Sequence, residues 1–159
     1  MDGLFEGIEK VGKERLLDLE REGKYLFHGS GFKLDTLEPR QAHNHPTSDK
    51  KIPDGEPAVF ASELANVAIF MAVISKPNTP SGFRSGFSGR GDGSVEYRVT
   101  KETMDQIKNA KGYVHVFDRN NFQRRGDSSE WISTKPVQPI EIIEVSEKDL
   151  PNNIEVKDF

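Results

Sequence analysis

The 159-residue chain contains no cysteine, which removes disulfides, thiolate metal ligands and cysteine nucleophiles together. That composition suits a reducing compartment, and the cytoplasm is the expected location. Long apolar runs are missing too: nowhere do about 18 apolar residues follow one another, the length a membrane-spanning helix needs. The start of the chain carries Asp2, Glu6 and Glu9 in place of a basic stretch leading into an apolar one. Neither a membrane span nor a signal peptide is therefore expected. There is no excess of positive charge, with 22 Lys and Arg against 26 Asp and Glu and a formal net charge of -4. Broad electrostatic attraction to nucleic acid or anionic membrane is thereby disfavoured. P-loop phosphate cradles and a Gly-x-Ser-x-Gly nucleophile elbow are absent as well.

What is present fits a single domain over residues 1–159, a size that buries roughly two-thirds of the surface of the unfolded chain. Leu4, Ile8, Val11, Leu16, Leu17 and Leu19 fall on or near one helical face, predicting an N-terminal helix over residues 4–21, within the segment 1–22. Gly12 weakens its middle and Gly23 stops it. A core over residues 25–145 follows. Tyr25 to His28 reads as a strand ending at Gly29. Residues 38–57, with Pro39, Pro46, Pro53 and Pro57, read as a long loop, and loops of such length in compact domains are usually functional or disordered. Ala58 to Ala61 is a second strand, with Ser62 as N-cap of a buried helix reaching about Ser75. Residues 76–93 are Gly/Ser/Pro-rich and read as a flexible loop. Val95, Tyr97 and Val99 alternate with Glu96 and Arg98, the period of a half-buried strand, and Thr100 caps a helix to about Ala110. Strands over 113–117, 130–134 and 140–145 complete the pattern. Six short strands with two or three helices and unequal connections predict α+β, with antiparallel or mixed sheets.

Three segments look like walls of one pocket: Tyr25-Leu26-Phe27-His28-Gly29-Ser30, Ala58-Val59-Phe60-Ala61-Ser62 and Ser129-Glu130-Trp131-Ile132-Ser133. His28 stands at a strand end, where an imidazole can project into a cleft while Gly29 lets a ligand approach the backbone. Taken alone, such a histidine is more often a packed residue. Glu130 alone reads as a solvated charge at a strand edge. Trp131, the only tryptophan, reads equally as a core anchor. His43-Asn44-His45 lacks a third and fourth ligand, so no metal is expected. Arg84, Arg90, Arg119, Arg124 and Arg125 gather in and just after the Gly-rich middle. The Gly-Phe and Gly-Arg elements of residues 81–90 resemble single-strand nucleic-acid segments but read as a mobile surface loop in an acidic chain.

Together the three segments resemble the motifs of the ADP-ribosyltransferase superfamily, of the diphtheria-toxin and poly(ADP-ribose) polymerase type. His28-Gly29-Ser30 matches the first motif. Ala58-Val59-Phe60-Ala61 is similar to the second, and Ala68-Ile69-Phe70 lies where that family places Ala-Asn-Tyr. Ser129-Glu130-Trp131 is similar to the third, with Val137 to Val145 as the strand after it. Val59 stands where polymerase-like members carry tyrosine, and Ile69 where they carry asparagine. The His-Tyr-Glu triad is thus altered at its second position.

The resemblance implies a split-sheet ADP-ribosyltransferase-like fold and NAD as substrate, lying between two sheets. It implies that the Gly29 backbone bonds the nicotinamide carboxamide, that His28 holds a ribose hydroxyl, and that the Glu130 carboxylate faces the ribose. It further implies Phe60, Ser62 and Phe70 on the cofactor side, with Phe70 as stacking ring, and Ser30 and Arg40 toward adenosine and pyrophosphate. The function implied is a mono-ADP-ribosyltransferase acting on a protein, nucleic acid or small molecule. Ser128 replaces the acidic or amide residue of arginine-modifying members. Two alternatives stay open: an RNA 2′-phosphotransferase-like enzyme, and a catalytically inactive NAD or ADP-ribose binding module.

Overall fold

The computed structural model describes residues 12–40, 43–47, 50–53, 56–90, 92–126 and 129–159, with the backbone alone for 43–47 and 50–53. Of the helix expected over 4–21, the part before Gly12 lies outside the described residues. Helix α1 spans Lys13–Glu22. Gly12 has φ +53°, a left-handed value that only glycine adopts cheaply, so it precedes the helix and does not continue it. Gly23, at φ +72°, ends α1 and bonds back to the Glu20 carbonyl, as expected for a glycine stop. The cap at the start comes from far along the chain: Asp149 Oδ1 accepts the Lys13 N–H at 3.3 Å.

Strand β1 is Tyr25–Ser30, two residues longer than the strand expected over 25–28. The expected loop over 38–57 contains a hairpin of β2, His43–Thr47, and β3, Lys50–Pro53. Its prolines are tolerated because a two-stranded ribbon is all edge. Strand β4 is Val59–Ser62 and helix α2 is Ala65–Val73. The second long loop is also partly ordered. Strand β5, Ser85–Gly89, pairs along its whole length with β6, Val95–Val99. Helix α3, Lys101–Gln106, begins at Thr100, whose side chain accepts the Thr103 N–H; it stops short of Ala110. Then come β7, Lys111–Asp118, β8, Gln123–Arg124, β9, Glu130–Ser133, β10, Glu141–Ser146, and β11, Ile154–Val156. The architecture is α+β. A six-stranded sheet runs in the order β10-β7-β1-β4-β9-β8 with antiparallel neighbours throughout. A three-stranded sheet, β11-β6-β5, is mixed, because β11 joins β6 in parallel.

Strand alternation divides the core. Phe27, Val114 and Val116 face α1 and α2 in the larger cluster, while Leu26, Val59, Ala61 and Phe117 face the opposite way into a smaller one. Helix α2 is apolar nearly all round, and seven of its residues are buried, so it sits on the large sheet. Two glycines allow that contact. A Cβ on Gly29 would meet the Ala68 carbonyl oxygen at 2.0 Å, and one on Gly112 would meet the Ala72 oxygen at 2.2 Å. Gly29 is therefore explained first by helix packing. Among the described residues no helix is long and apolar enough to cross a membrane.

Candidate functional site

Strands β1, β4 and β9 are neighbours in the large sheet, so the three sequence segments do converge. They wall a cavity of about 320 Å³, lined among others by His28, Gly29, Phe60, Ser62, Ser129 and Glu130. Its roof is Val67, Ala68 and Met71 of α2, and Phe87 of β5 reaches in from the smaller sheet. A volume of that order, mostly apolar with a few convergent polar groups, is typical of small-ligand sites.

The opening has a local cause. β1 and β4 share a single register pair, Phe27↔Ser62, and past it an imidazole takes over from the ladder: His28 Nδ1 lies 2.6 Å from the Phe60 carbonyl oxygen. A carbonyl only accepts, so the proton sits on Nδ1 and Nε2 is left as an acceptor. Burial lowers the His28 pKa, partly offset by the Phe60 bond, and the Arg40 charge lowers it further. His28 is thus a neutral imidazole whose Nε2 is suited to accept a hydrogen bond from a hydroxyl.

Glu130 opens β9 opposite Ser62. Its Oε1 accepts from Arg125 Nη1 at 3.0 Å, and the Arg125 backbone N–H donates to the Glu130 carbonyl at 2.9 Å. The same guanidinium lies 5.7 Å from the Phe60 ring centre. A partly exposed ion pair contributes about 0–1 kcal/mol, so its effect is chiefly to orient the carboxylate. Ser62 is 9% exposed and its Oγ accepts the Leu64 N–H at 3.0 Å. The N-cap of α2 is Leu64, with Glu20 Oε1 of α1 accepting the Ala65 N–H; Ser62 is not the cap.

A second cavity, of about 680 Å³, adjoins the first through His28 and Phe60, and Ser30, Phe32, Leu34 and Arg40 line it too. Ser30 Oγ accepts the Phe32 N–H at 3.1 Å, closing the turn after β1. Arg40 is exposed and held through its backbone against Ala58. Phe70 is apart from this group, and its expected role as a stacking ring is corrected. It is 2% exposed, packs on Tyr97 at 4.9 Å between ring centres, and lines neither cavity. Val59 is buried in the smaller cluster. Trp131 packs on that cluster as well, with its Nε1–H donating to Glu63 Oε2 at 2.8 Å and the Arg119 guanidinium 4.7 Å from its ring centre. Residues His43 and His45 lie on β2, whose side chains are outside the description, as is Ser128.

Sequence reasoning missed Arg125, Met71, Phe87 and His115. For Arg125 the signal was there, as one of five arginines in and just after the Gly-rich middle and five residues before Glu130. For His115 it was a histidine inside an apolar strand run. Comparison with family profiles, with curated proteins and with solved structures finds no match to this chain.

Proposed function

We propose that this chain is an NAD-dependent mono-ADP-ribosyltransferase. The single observation that carries the reading is the convergence of His28, Gly29, Phe60 and Glu130 from three strands on one cavity between two sheets. In this reading nicotinamide occupies that cavity, beside the Phe60 ring and the Gly29 backbone. The Nε2 of His28 accepts a hydrogen bond from a ribose hydroxyl, and the rest of the dinucleotide extends into the second cavity past Ser30 and Arg40. Breaking the glycosidic bond develops positive charge on the ribose, so a carboxylate against it stabilises the transition state more than the ground state. At about 5 Å and an effective dielectric near 20, that attraction is roughly 3 kcal/mol, or about a hundredfold in rate. Nicotinamide leaves neutral and needs no strong acid. The acceptor that takes the ADP-ribose is a protein, nucleic acid or small molecule.

A second reading, a binding module without turnover, draws on Arg125. Its guanidinium holds Glu130 and covers Phe60, the two groups the reaction would use.

Labelled NAD separates the two. Nicotinamide release that falls about a hundredfold in Glu130→Gln, and comparably in His28→Ala, supports the transferase. Binding with no release selects the module, release insensitive to Glu130 removes the catalytic assignment, and release that needs 2′-phosphorylated RNA selects the phosphotransferase.

A further inference from the structure

His115 is wholly buried at the middle of β7, directly opposite His28 in the β1–β7 register, and touches neither cavity. Both of its ring nitrogens are used. Nε2 accepts the backbone N–H of Leu34 at 2.9 Å, and Nδ1 lies 3.3 Å from the His28 carbonyl oxygen, to which only an N–H can donate. The two contacts fix one tautomer, with the proton on Nδ1. They also tie together two separate pieces of the site: the backbone at His28, and the connection from Gly31 to Thr36, whose Phe32, Leu34 and Thr36 line the second cavity. The imidazole rings of His28 and His115 meet edge to face with centres 6.1 Å apart.

Packing alone does not call for a histidine here. Its strand neighbours Val114 and Val116 are fully buried aliphatics, and a buried polar ring is costly unless its hydrogen bonds are made. What the imidazole supplies and an apolar residue lacks is an acceptor for an amide in a connection that belongs to no strand or helix.

We propose that His115 is a positioning residue, which clamps the 31–36 connection onto β1 and so sets the floor of the second cavity. Resting on the transferase reading, the inference further assigns His115 to affinity for the part of NAD remote from the scissile bond. Loss of the clamp then weakens ground-state and transition-state binding alike, so KM rises while kcat is kept. The His28 side chain stays seated through its own bond to Phe60.

The first measurement needs no ligand and no substitution. In uniformly ¹⁵N-labelled wild-type protein, an N–H···N bond transmits a scalar coupling between the Leu34 amide nitrogen and His115 Nε2. That coupling, with the proton on Nδ1, is expected; a His115 protonated on Nε2, or no coupling, overturns the proposal. The second compares His115→Phe, which keeps the ring and loses both bonds, with His115→Gln, whose amide oxygen can reach the Leu34 N–H. For His115→Phe, Leu34 amide protection falls about tenfold, matching the loss of one hydrogen bond. The KM for NAD rises by a similar factor with kcat within about twofold, and His115→Gln restores most of both. A fall in kcat at unchanged KM, or undiminished Leu34 protection, overturns it. If the wild-type chain neither binds nor cleaves NAD while the coupling and the protection loss are seen, the transferase reading fails and the clamp stands.

Discussion

The buried imidazole of His115 makes the stability of the fold depend on pH. Burial pushes its pKa down to about 4 from an ordinary 6.5, and His28 moves in the same direction for the same chief reason. The unfolded chain takes up protons first as pH falls, so the stability associated with neutral His115 is complete above about pH 6.5 and is lost on descent toward pH 4. A difference of that size corresponds to roughly 3 kcal/mol. Urea midpoints measured between about pH 7 and pH 4 are expected to fall accordingly, with a visibly flatter profile for His115→Phe. An equally steep profile in that variant would place the acid sensitivity in other groups.

Among the elements, α2 and the strands beneath it depend on two missing side chains. Gly29→Ala drives a methyl against the Ala68 carbonyl and the Ala72 amide of the helix, backbone atoms that no rotamer change relieves. A loss of about 3 kcal/mol or more in urea unfolding is expected, while Gly89→Ala on β5, where nothing lies within 4 Å of the added carbon, stays within about 0.5 kcal/mol of wild type. Equal effects of the two would refute the packing account of Gly29. The same helix shows why Phe70 was misread. An all-apolar sequence has no polar face to mark which side is inward, and the phase of Phe70 relative to Met71 is settled only by the sheet and by Tyr97. Strand β5 was hidden for the opposite reason: Ser-Gly-Phe-Ser-Gly has little strand preference of its own, and its order comes from pairing with β6.

For the molecule entire, ligand binding and stability are linked. On the proposed transferase reading, NAD at about 100 times its Kd is expected to stabilise the folded chain by about 2.7 kcal/mol, a rise in Tm of about 5–10 °C for a domain of this length. Wild type should show that rise and His28→Ala should lose most of it. An unmoved Tm at millimolar NAD speaks against a nucleotide site. The α+β class and the strands that carry the three segments were legible from alternation and Gly stops, since those signals are local, whereas the expectation that His28 and Glu130 share a cavity rested on the resemblance of the three segments taken together. Contacts made across the chain were not: Asp149 at the start of α1, Glu20 at the start of α2, and the amide of Leu34 on His115. Strands β8 and β11, of two and three residues, are too short to carry a period.

The close seating of α2 on Gly29 and Gly112 bears on how such a chamber changes over time. With its ceiling held flush against the sheet, the backbone there has little slack to drift, so on that side a new ligand shape is met by exchanging the side chains of Val67 or Met71.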